Sequence, residues 1–563
     1  MKTVITPTKS QQRIRDHKGL DLLVVAPAGC GKTEALALRV AGLIERDVAR
    51  GPHRILVLTF SNRARDNIYD RLRSYLPTHA LRDQVTVTNF HGLSARIFRA
   101  HARSVGLDPD MELPESDWVR QQCLRWSWGW GRIIPAERAL REAKQLLLDD
   151  AAISSYLEKK GADGALQLEC KRLSENRLTY DDLPRIAELI LSNDAVASLY
   201  KNHFSAVVVD EFQDLTPQQL RIVNCIGLGK TTYAGDLAQG IYSFAGAQPE
   251  VVDSMIRAEC SEVIEFAESH RSSPAVLSMV NSLSRLTGGL TLTSARPKSW
   301  PAGGLAAVIA FRDPVEEGKW AVGFTRRILE RAPQQRIGII CRNGPRREVV
   351  DGIAEKSGLP VYRWDDGVLD TETAKILKLM LLRINPDETL ASSDPLEHLR
   401  DAAGFDAIAE PDTRRSLADA LTWCLDKLRE DMTPVQIRDR VKVGDNDTLL
   451  TAAGLHLLSG HVGKGQQFDW VVVLGAEDGV IPDWRSNTKE QILEDARVLS
   501  VMLSRARHGV VVTHATQITD QYGRVRNKSG TRFLSQLKKA APTGELVVSS
   551  FLDAVDWDAV RSR

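Results

Sequence analysis

Six short runs in this chain are apolar without alternation: 22–26 (LLVVA), 54–60 (RILVLTF), 206–211 (AVVVDE), 306–311 (AAVIAF), 336–341 (RIGIIC) and 469–475 (DWVVVLG). A strand with one wet face alternates polar and apolar residues, so strands of this kind are buried on both faces. Segments of helical period lie between them. Helices laid over both faces of a parallel sheet are the arrangement that buries such strands. Three runs fall before residue 212 and three after 305, and 563 residues exceed what a single core organises. The expected fold class is therefore α/β, in two parallel-sheet domains.

Residues 94–204 are mostly helical in pattern, as in AERALREAKQLLLDDAAISSYLEKK (136–160), and hold no convincing strand. Residues 370–450 are again helical and polar, with loop punctuation at INPDE and VGDND. Each core is thus expected to carry one mainly helical insertion. Core 1 comprises 1–93 and 203–280 around an insertion at 94–202. Core 2 comprises 281–369 and 451–563 around a short insertion at 370–450.

Lys plus Arg number 74 against 73 Asp plus Glu, a formal charge of +1, so there is no overall basic signal. That neither supports nor excludes a polyanionic partner, because a basic groove can be balanced elsewhere. The seven cysteines form no CxxC pair and no metal-ligand spacing, which suits free thiols in a reducing cytosol. The start MKTVITPTKSQQR lacks the apolar stretch of a signal peptide, and no apolar run approaches bilayer length. A soluble, cytoplasmic chain with no membrane partner is expected.

The first run opens LLVVAPAGCGKTEALALR (22–39), a strand, a Gly-rich turn and a helix. In this P-loop arrangement the backbone N–H groups of Ala28, Gly29, Cys30 and Gly31 curl around phosphates, and the helix N-terminus adds partial positive charge. Lys32 reaches the outer phosphates and the Thr33 hydroxyl ligates Mg²⁺. The bland alternative is a structural glycine turn. The third run ends in AVVVDEFQDLTPQQ (206–219), a buried strand that stops on adjacent carboxylates. Alone, paired acids at a strand end are more often a solvated turn. Downstream of a P-loop, Asp210 is suited to hold Mg²⁺ and Glu211 to orient and deprotonate the water that attacks the terminal phosphate. Ligand crevices of open α/β sheets lie at strand carboxyl ends, where both acids sit.

Together, APAGCGKT and DEFQD resemble the UvrD-like branch of superfamily 1 DNA helicases, and further motifs match in order over nearly the whole chain. The resemblance implies two RecA-like P-loop NTPase domains, ATP and Mg²⁺ as cofactors, and 3′→5′ movement along single-stranded or 3′-tailed DNA. TKSQQ (8–12) resembles the family's Q motif, with Gln11 reading adenine, and Arg39 matches a position near the base. VLTFSNRAR (57–65) implies that Phe60 stacks on a DNA base while Asn62 and Arg63 lie by the backbone. TNFHGL (88–93) places Asn89 and His91 among the DNA contacts, and LTYDDLP (178–184) resembles the segment returning from the first insertion.

YAGDLAQGIYSFAGA (233–247) is similar to motif III, with Gln239 sensing the γ-phosphate and Tyr242 and Phe244 facing DNA. ESHRSS (268–273) makes Arg271 one arginine finger, with His270 where an adenine-stacking Tyr is usual. SGHVGKGQQFDWVVVLGAEDGVIP (459–482) implies DNA contacts from His461 and Lys464 and puts Gln467 where a ribose-binding Glu is usual. EDARVLSVMLSRAR (494–507) supplies Arg505 as the second finger. Cations of this kind carry much of phosphoryl-transfer catalysis, and here they come from different parts of the chain. Hydrolysis then requires the cores to close, and closure changes the spacing of the DNA contacts.

Each of these residues has a plainer reading. A lone Phe in TFSN is usually core, and His91 and His461 are equally loop histidines without metal partners. LRWSWGWGR (124–132) puts Trp126, Trp128 and Trp130 at alternate positions, which suits a duplex or protein contact but more simply packs the insertion's core. The rival function is a regulatory ATPase subunit that licenses a partner nuclease of the overcoming-lysogenization-defect family, as in Gabija-type antiviral defence, in place of repair or replication. A small-molecule phosphotransferase would leave Gln239, Arg505 and the second core unexplained.

Overall fold

A computed structural model describes residues 7–563 except 115–117, 365–367, 370, 409–410, 444–450, 463 and 520–522. Two six-stranded, all-parallel sheets organise it. The first contains β1 (Leu22–Val25), β2 (Arg54–Thr59), β3 (Val85–Asn89), β4 (Phe204–Asp210), β5 (Thr231–Gly235) and β6 (Val263–Glu265), in the order β3-β2-β4-β5-β1-β6. The second contains β7 (Leu305–Phe311), β8 (Arg336–Cys341), β9 (Val361–Arg363), β10 (Gly454–Ser459), β11 (Phe468–Leu474) and β12 (Ala506–Ala515), in the order β9-β10-β8-β11-β12-β7. The six apolar runs form β1, β2, β4, β7, β8 and β11. Each sheet separates two apolar layers. In β4, for instance, Val207 and Val209 pack to one side and Ala206 and Val208 to the other. Burying both faces of such strands is worth about 1.5–3 kcal/mol for each large apolar side chain.

The strands that the apolar runs did not reveal have reasons to look different. Strand β3 lies at a sheet edge and its sequence, VTVTN, is only half buried. Strand β5, TTYAG, is wholly buried although polar, because each polar group has its own partner. Thr231 Oγ1 donates to the Gly227 carbonyl, Thr232 Oγ1 accepts from Arg39, and Tyr233 Oη bonds Asn224 Oδ1.

Packing draws the first insertion more tightly than 94–202. Helices Phe90–His101 and Asp182–Leu191 bury Leu93, Ile97, Ile186 and Ile190 against the first sheet. The helices between Trp118 and Ser174 instead share a small core of their own around Ile133, Leu140, Ile153 and Leu168. Its neck is pinched by a bridge and an ion pair between Glu112 and Arg177. At its base Lys144, Arg172 and Arg185 neutralise Asp150, Glu169 and Asp182, so that acidic cluster is already matched by cations. Trp128 is buried in this insertion core, 5.0 Å from Trp126, with the Arg132 guanidinium 3.8 Å above its ring. The plain packing reading therefore describes both tryptophans; the Trp130 side chain lies outside the described residues.

The second insertion has its own helical core around Leu377, Leu399, Leu421 and Leu425, and its neck is a two-stranded parallel strip, Val368–Leu369 with Lys442–Val443, inside a stretch that reads as helical. The two insertions touch: Arg125 pairs with Asp394 at 3.0 Å and Glu397 at 3.2 Å. The chain passes between cores earlier than residue 280. Ser272 Oγ already donates to the Ala506 carbonyl, and helix Pro274–Asn281 places Val276 and Met279 under the second sheet. Among the described residues, no helix is long and apolar enough to cross a membrane.

Candidate active site and nucleic-acid interface

The carboxyl ends of β1, β4 and β5 meet at one end of the first sheet. After β1, Gly29 and Gly31 take φ values of 84° and 85°, left-handed conformations that disfavour side chains. Side chains would not fit either. A Cβ on Gly29 would lie 2.6 Å from the Arg271 Cβ, and one on Gly31 would lie 2.7 Å from Gln11 Nε2. The turn leads directly into helix Lys32–Glu45, so its N–H groups and the helix N-terminus form a phosphate cradle. Cys30 is buried, and burial pushes its thiol up to about 12, which leaves it neutral.

Gln11 is held in a capping box with Thr8 and donates to the Gly31 carbonyl at 3.3 Å, tying the N-terminal helix to the cradle. Arg39 is different from the expectation. It is fully buried, and it donates to the carbonyls of His17, Gly19 and Leu20 and to Thr232 Oγ1. Its guanidinium braces the segment before β1 and is not offered to a base.

Strand β4 ends at Asp210, and Glu211 then adopts φ 57°, ψ 50°. That left-handed turn costs a non-glycine residue about 1–2 kcal/mol. It returns the Glu211 carboxylate to Lys32, whose Nζ lies 2.5 Å from Glu211 Oε1 and 2.9 Å from Asp210 Oδ1. Gln213 Nε2 donates to Glu211 Oε2 at 2.6 Å, and Gln213 Oε1 accepts from the Asp236 N–H at 3.0 Å. Gln239 Nε2 completes the chain on Asp236 Oδ2 at 2.9 Å. Burial raises Asp210, and the Glu211 charge beside it adds to that. Burial also pushes Glu211 upward, but Lys32, Lys464 and Gln213 outweigh it and hold Glu211 below its ordinary range. Glu211 is thus an ionised carboxylate with one oxygen on an ammonium and the other on an amide.

Two guanidinium groups belong to this cleft: Arg505 reaches the charges of Glu211 and Asp236, and Arg271 packs on the glycine turn beside Arg505. Arg271, from the crossing between cores, has a buried Nη1 with no hydrogen-bond partner among the described residues. Arg505 is 2% exposed. It donates to the carbonyls of Val501 and Gln466 and to Ser504 Oγ, with no carboxylate partner among the described residues. Burial and the nearby Arg271 charge draw Arg505 down to about 9, against the pull of Glu211. Burial likewise lowers Arg271, to about 10. A site that confines two uncompensated cations beside a glycine cradle is built for a polyanion. His270 is exposed at the lip of the cradle, its N–H on the Gly29 carbonyl. The Gln467 side chain is exposed too, while its carbonyl accepts from Arg336.

A row of rings crosses between the cores. Phe60 stacks on Tyr242 (5.4 Å between centroids, 10° between planes), Tyr242 meets Phe244 edge-on at 5.8 Å, and Phe244 meets His461 of core 2 at 5.3 Å. Phe60 is 37% and Phe244 61% exposed, so these rings are not core. Burial and the adjoining Arg342 pull His461 down to about 4, so it is a neutral ring that accepts from Arg342. Asn89 caps the following helix, accepting from the Gly92 N–H at 2.6 Å, and His91 packs edge-on to Tyr180. Helix Asn62–Leu72 begins beside Phe60, but the side chains of Asn62 and Arg63 lie outside the described residues.

Lys464 is placed otherwise than expected. Its Nζ bonds both oxygens of Asp214 at 2.6 Å and the Gln239 carbonyl at 2.8 Å, and it lies 4.6 Å from the centre of the Tyr242 ring. A lysine has three N–H donors, and core 1 takes all of them. Lys464 is a strut between the cores, not a free phosphate contact. Its partner Asp214, like Gln213 and Asp236, stood inside the motifs DEFQD and YAGDLAQ, but nothing in a sequence says which acid meets which lysine.

The chain matches the UvrD/REP helicase N-terminal domain over residues 7–258 and the UvrD-like helicase C-terminal domain over 438–517, together more than half of its length. It is 26% identical to the ATP-dependent DNA helicase UvrD2 of Mycobacterium tuberculosis, an alignment covering 91% of this chain and 79% of that protein. It is 22% identical to the ATP-dependent DNA helicase PcrA of Staphylococcus aureus, over 95% of this chain and 86% of that one. DNA helicase II of Haemophilus influenzae is 27% identical across 49% of the chain and 40% of its own length. With the cradle, the paired acids and the ring row in place, the chain belongs to the UvrD-like family of ATP-dependent DNA helicases.

Proposed function

We propose that this protein hydrolyses Mg²⁺–ATP in the cleft between its cores and uses the cycle to move 3′→5′ along single-stranded DNA. The observation that carries the reading is that Arg505 of core 2 reaches the charge of Glu211 on core 1, beside the Arg271 that packs on the glycine turn, while the ring row crosses between the same cores. The direction of movement rests on the family resemblance.

Triphosphate fits the glycine cradle and the two unpaired guanidinium groups. Asp210 and Thr33 would hold Mg²⁺, whose chemistry is to neutralise charge on the phosphate oxygens. Lys32 has two suitors: the carboxylates it now bridges and the phosphates for which the cradle is shaped. Transfer of Lys32 to phosphate removes the cation that most depresses Glu211, so Glu211 becomes a better proton acceptor once nucleotide is seated. Arg505 completes the charge only when core 2 is close. Gln239 lies one hydrogen bond from Asp236, and its carbonyl holds Lys464, which touches Tyr242. Change at the terminal phosphate therefore has a short route to the stacked rings.

The test is phosphate release with and without oligo(dT), followed by strand displacement on duplexes with 3′ or 5′ tails. A large stimulation by single strands and displacement from the 3′ tail only are expected. Displacement from the 5′ tail alone overturns the polarity. Stimulated hydrolysis with no movement on either tail favours the regulatory ATPase reading.

A further inference from the structure

We propose that Trp484 is an additional base-stacking residue that extends the single-strand path across core 2 beyond His461. The inference rests on the translocase reading above and adds a contact to it. Trp484 is 74% exposed, more than Phe60 or Phe244. Its backbone is nevertheless firmly fixed. The Trp484 N–H donates to the Gly479 carbonyl at 3.1 Å, the Gly479 N–H donates to the Pro482 carbonyl at 3.0 Å, and the Asp483 N–H donates to Asp495 Oδ2 at 3.0 Å. A large apolar ring held bare on a braced turn gives the fold nothing. It is an anchor awaiting a flat partner.

Its place in the fold identifies that partner. The turn leaves the carboxyl end of β11. Strand β8 beside it, and β10 on the other side of β8, send Arg342 and His461 from their own carboxyl ends. One carboxylate ties the three loops together. Asp495 Oδ1 accepts from Arg342 Nε at 2.8 Å, Arg342 Nη1 lies 3.2 Å from His461 Nδ1, and Asp495 Oδ2 holds the Trp484 turn through the Asp483 N–H and Ser486 Oγ. His461 in turn meets Phe244, the last ring of the row on core 1. Trp484 is therefore continuous with the ring row through a rigid polar brace. Cationic side chains lie near it: the Arg485 guanidinium is 5.7 Å from the ring centre while paired with Asp483 at 2.8 Å, and the Lys528 ammonium stands beside Gly479, on the side that the Trp484 Cβ also faces. A bare ring with basic side chains close by, braced to the end of the ring row, is the recognition chemistry of a stacked, negatively charged strand.

The experiment measures binding of labelled oligo(dT) to the full chain by anisotropy, with thermal melting in parallel. Trp484→Ala is expected to weaken binding about 5- to 150-fold, and Trp484→Phe to recover most of it. An oligonucleotide series with one abasic site stepped along the strand adds a readout that mere folding does not move. One abasic position should cost the wild type heavily and Trp484→Ala nothing further. If Phe244→Ala weakens binding but Trp484→Ala retains wild-type affinity and abasic profile, the Trp484 assignment is wrong and the translocase reading stands. Loss of a protein partner with unchanged DNA affinity also overturns the assignment. Failure of the wild type itself to bind single strands removes the translocase reading, and this contact with it.

Discussion

Arg505→Ala tests the shared site most directly. An arginine finger contributes roughly 10³–10⁵ to phosphoryl-transfer rate, equivalent to about 4–7 kcal/mol of transition-state stabilisation. Set against that are the bonds Arg505 makes inside core 2, to Val501, Ser504 and, at 3.4 Å, Gln466. At about 1 kcal/mol for each good one, and with relief of the repulsion from Arg271, the net effect on folding is small. The catalytic loss therefore dominates. In phosphate release at saturating oligo(dT) and Mg²⁺–ATP, the maximal rate should fall by at least three orders of magnitude, while fluorescent-nucleotide titration shows affinity within about tenfold of wild type. Arg507→Ala is the control, because that neighbour spends its guanidinium on Asp469 and the Arg563 carbonyl. It should melt somewhat earlier and turn over almost normally. If Arg505→Ala keeps a maximal rate within a few-fold of wild type, Arg505 is only a packing residue and the cores do not share the chemistry.

Glu211→Gln should bind ATP and DNA and lose hydrolysis by orders of magnitude in single-turnover quench; near-normal turnover removes Glu211 as the base. Phe244→Ala should weaken oligonucleotide binding by about 1–3 kcal/mol with little dependence on base sequence, read by titration against mixed and homopolymeric strands. Burial, opposed by Lys464, pushes Asp214 up to about 6. A folded value above the unfolded one means that its protonated form adds stability below about pH 4, and that this is lost as pH rises through 6. The melting temperature of wild type minus that of Asp214→Asn should therefore fall from pH 4 to 6. The Asp214–Lys464 ion pair exists only above that range, so DNA stimulation of hydrolysis should decline below pH 6 in wild type and not in Asp214→Asn. A pH-independent difference between the two proteins would show that Asp214 does not titrate there.

What the sequence disclosed was set by how local each feature is. The cradle is a turn between adjacent elements, so APAGCGKT carries its geometry in its own glycines. The strand that ends on Asp210 and Glu211 was legible because apolar residues give way abruptly to acids. Strand β5 was not, since its threonines and tyrosine are buried by partners far along the chain, Arg39 among them. The same non-local bonding explains Arg39 itself: its position on the helix was readable, but not that three carbonyls from 17–20 would consume its donors. Trp126 and Trp128 read more simply as packing of the insertion's core than as a displayed face, and Trp128 is indeed buried there with Trp126 packed against it.

If the cores part during turnover, Lys464 makes the separation all-or-none. Its ammonium is bonded at once to both Asp214 oxygens and to the Gln239 carbonyl, and the side chain is almost wholly buried. No donor is left to keep a partial hold as the cores part. Opening removes all three bonds together and leaves Asp214 buried without its cation, a cost of several kcal/mol unless water enters. Partly opened arrangements are therefore disfavoured, which is what a bistable coupling element would require. One of the three bonds belongs to Gln239, whose side chain answers to Asp236 beside the phosphate site, and the ammonium rests on the Tyr242 ring. On the translocase reading, the same bond set would carry nucleotide state to the ring row and strand occupancy back to the nucleotide. Because coupling free energies for binding are reciprocal, a nucleotide that favours the arrangement with Arg505 near Glu211 and thereby tightens strand binding implies that the strand favours that arrangement too. On the translocase reading, strand and nucleotide should therefore raise each other's affinity by the same factor, which paired titrations measure.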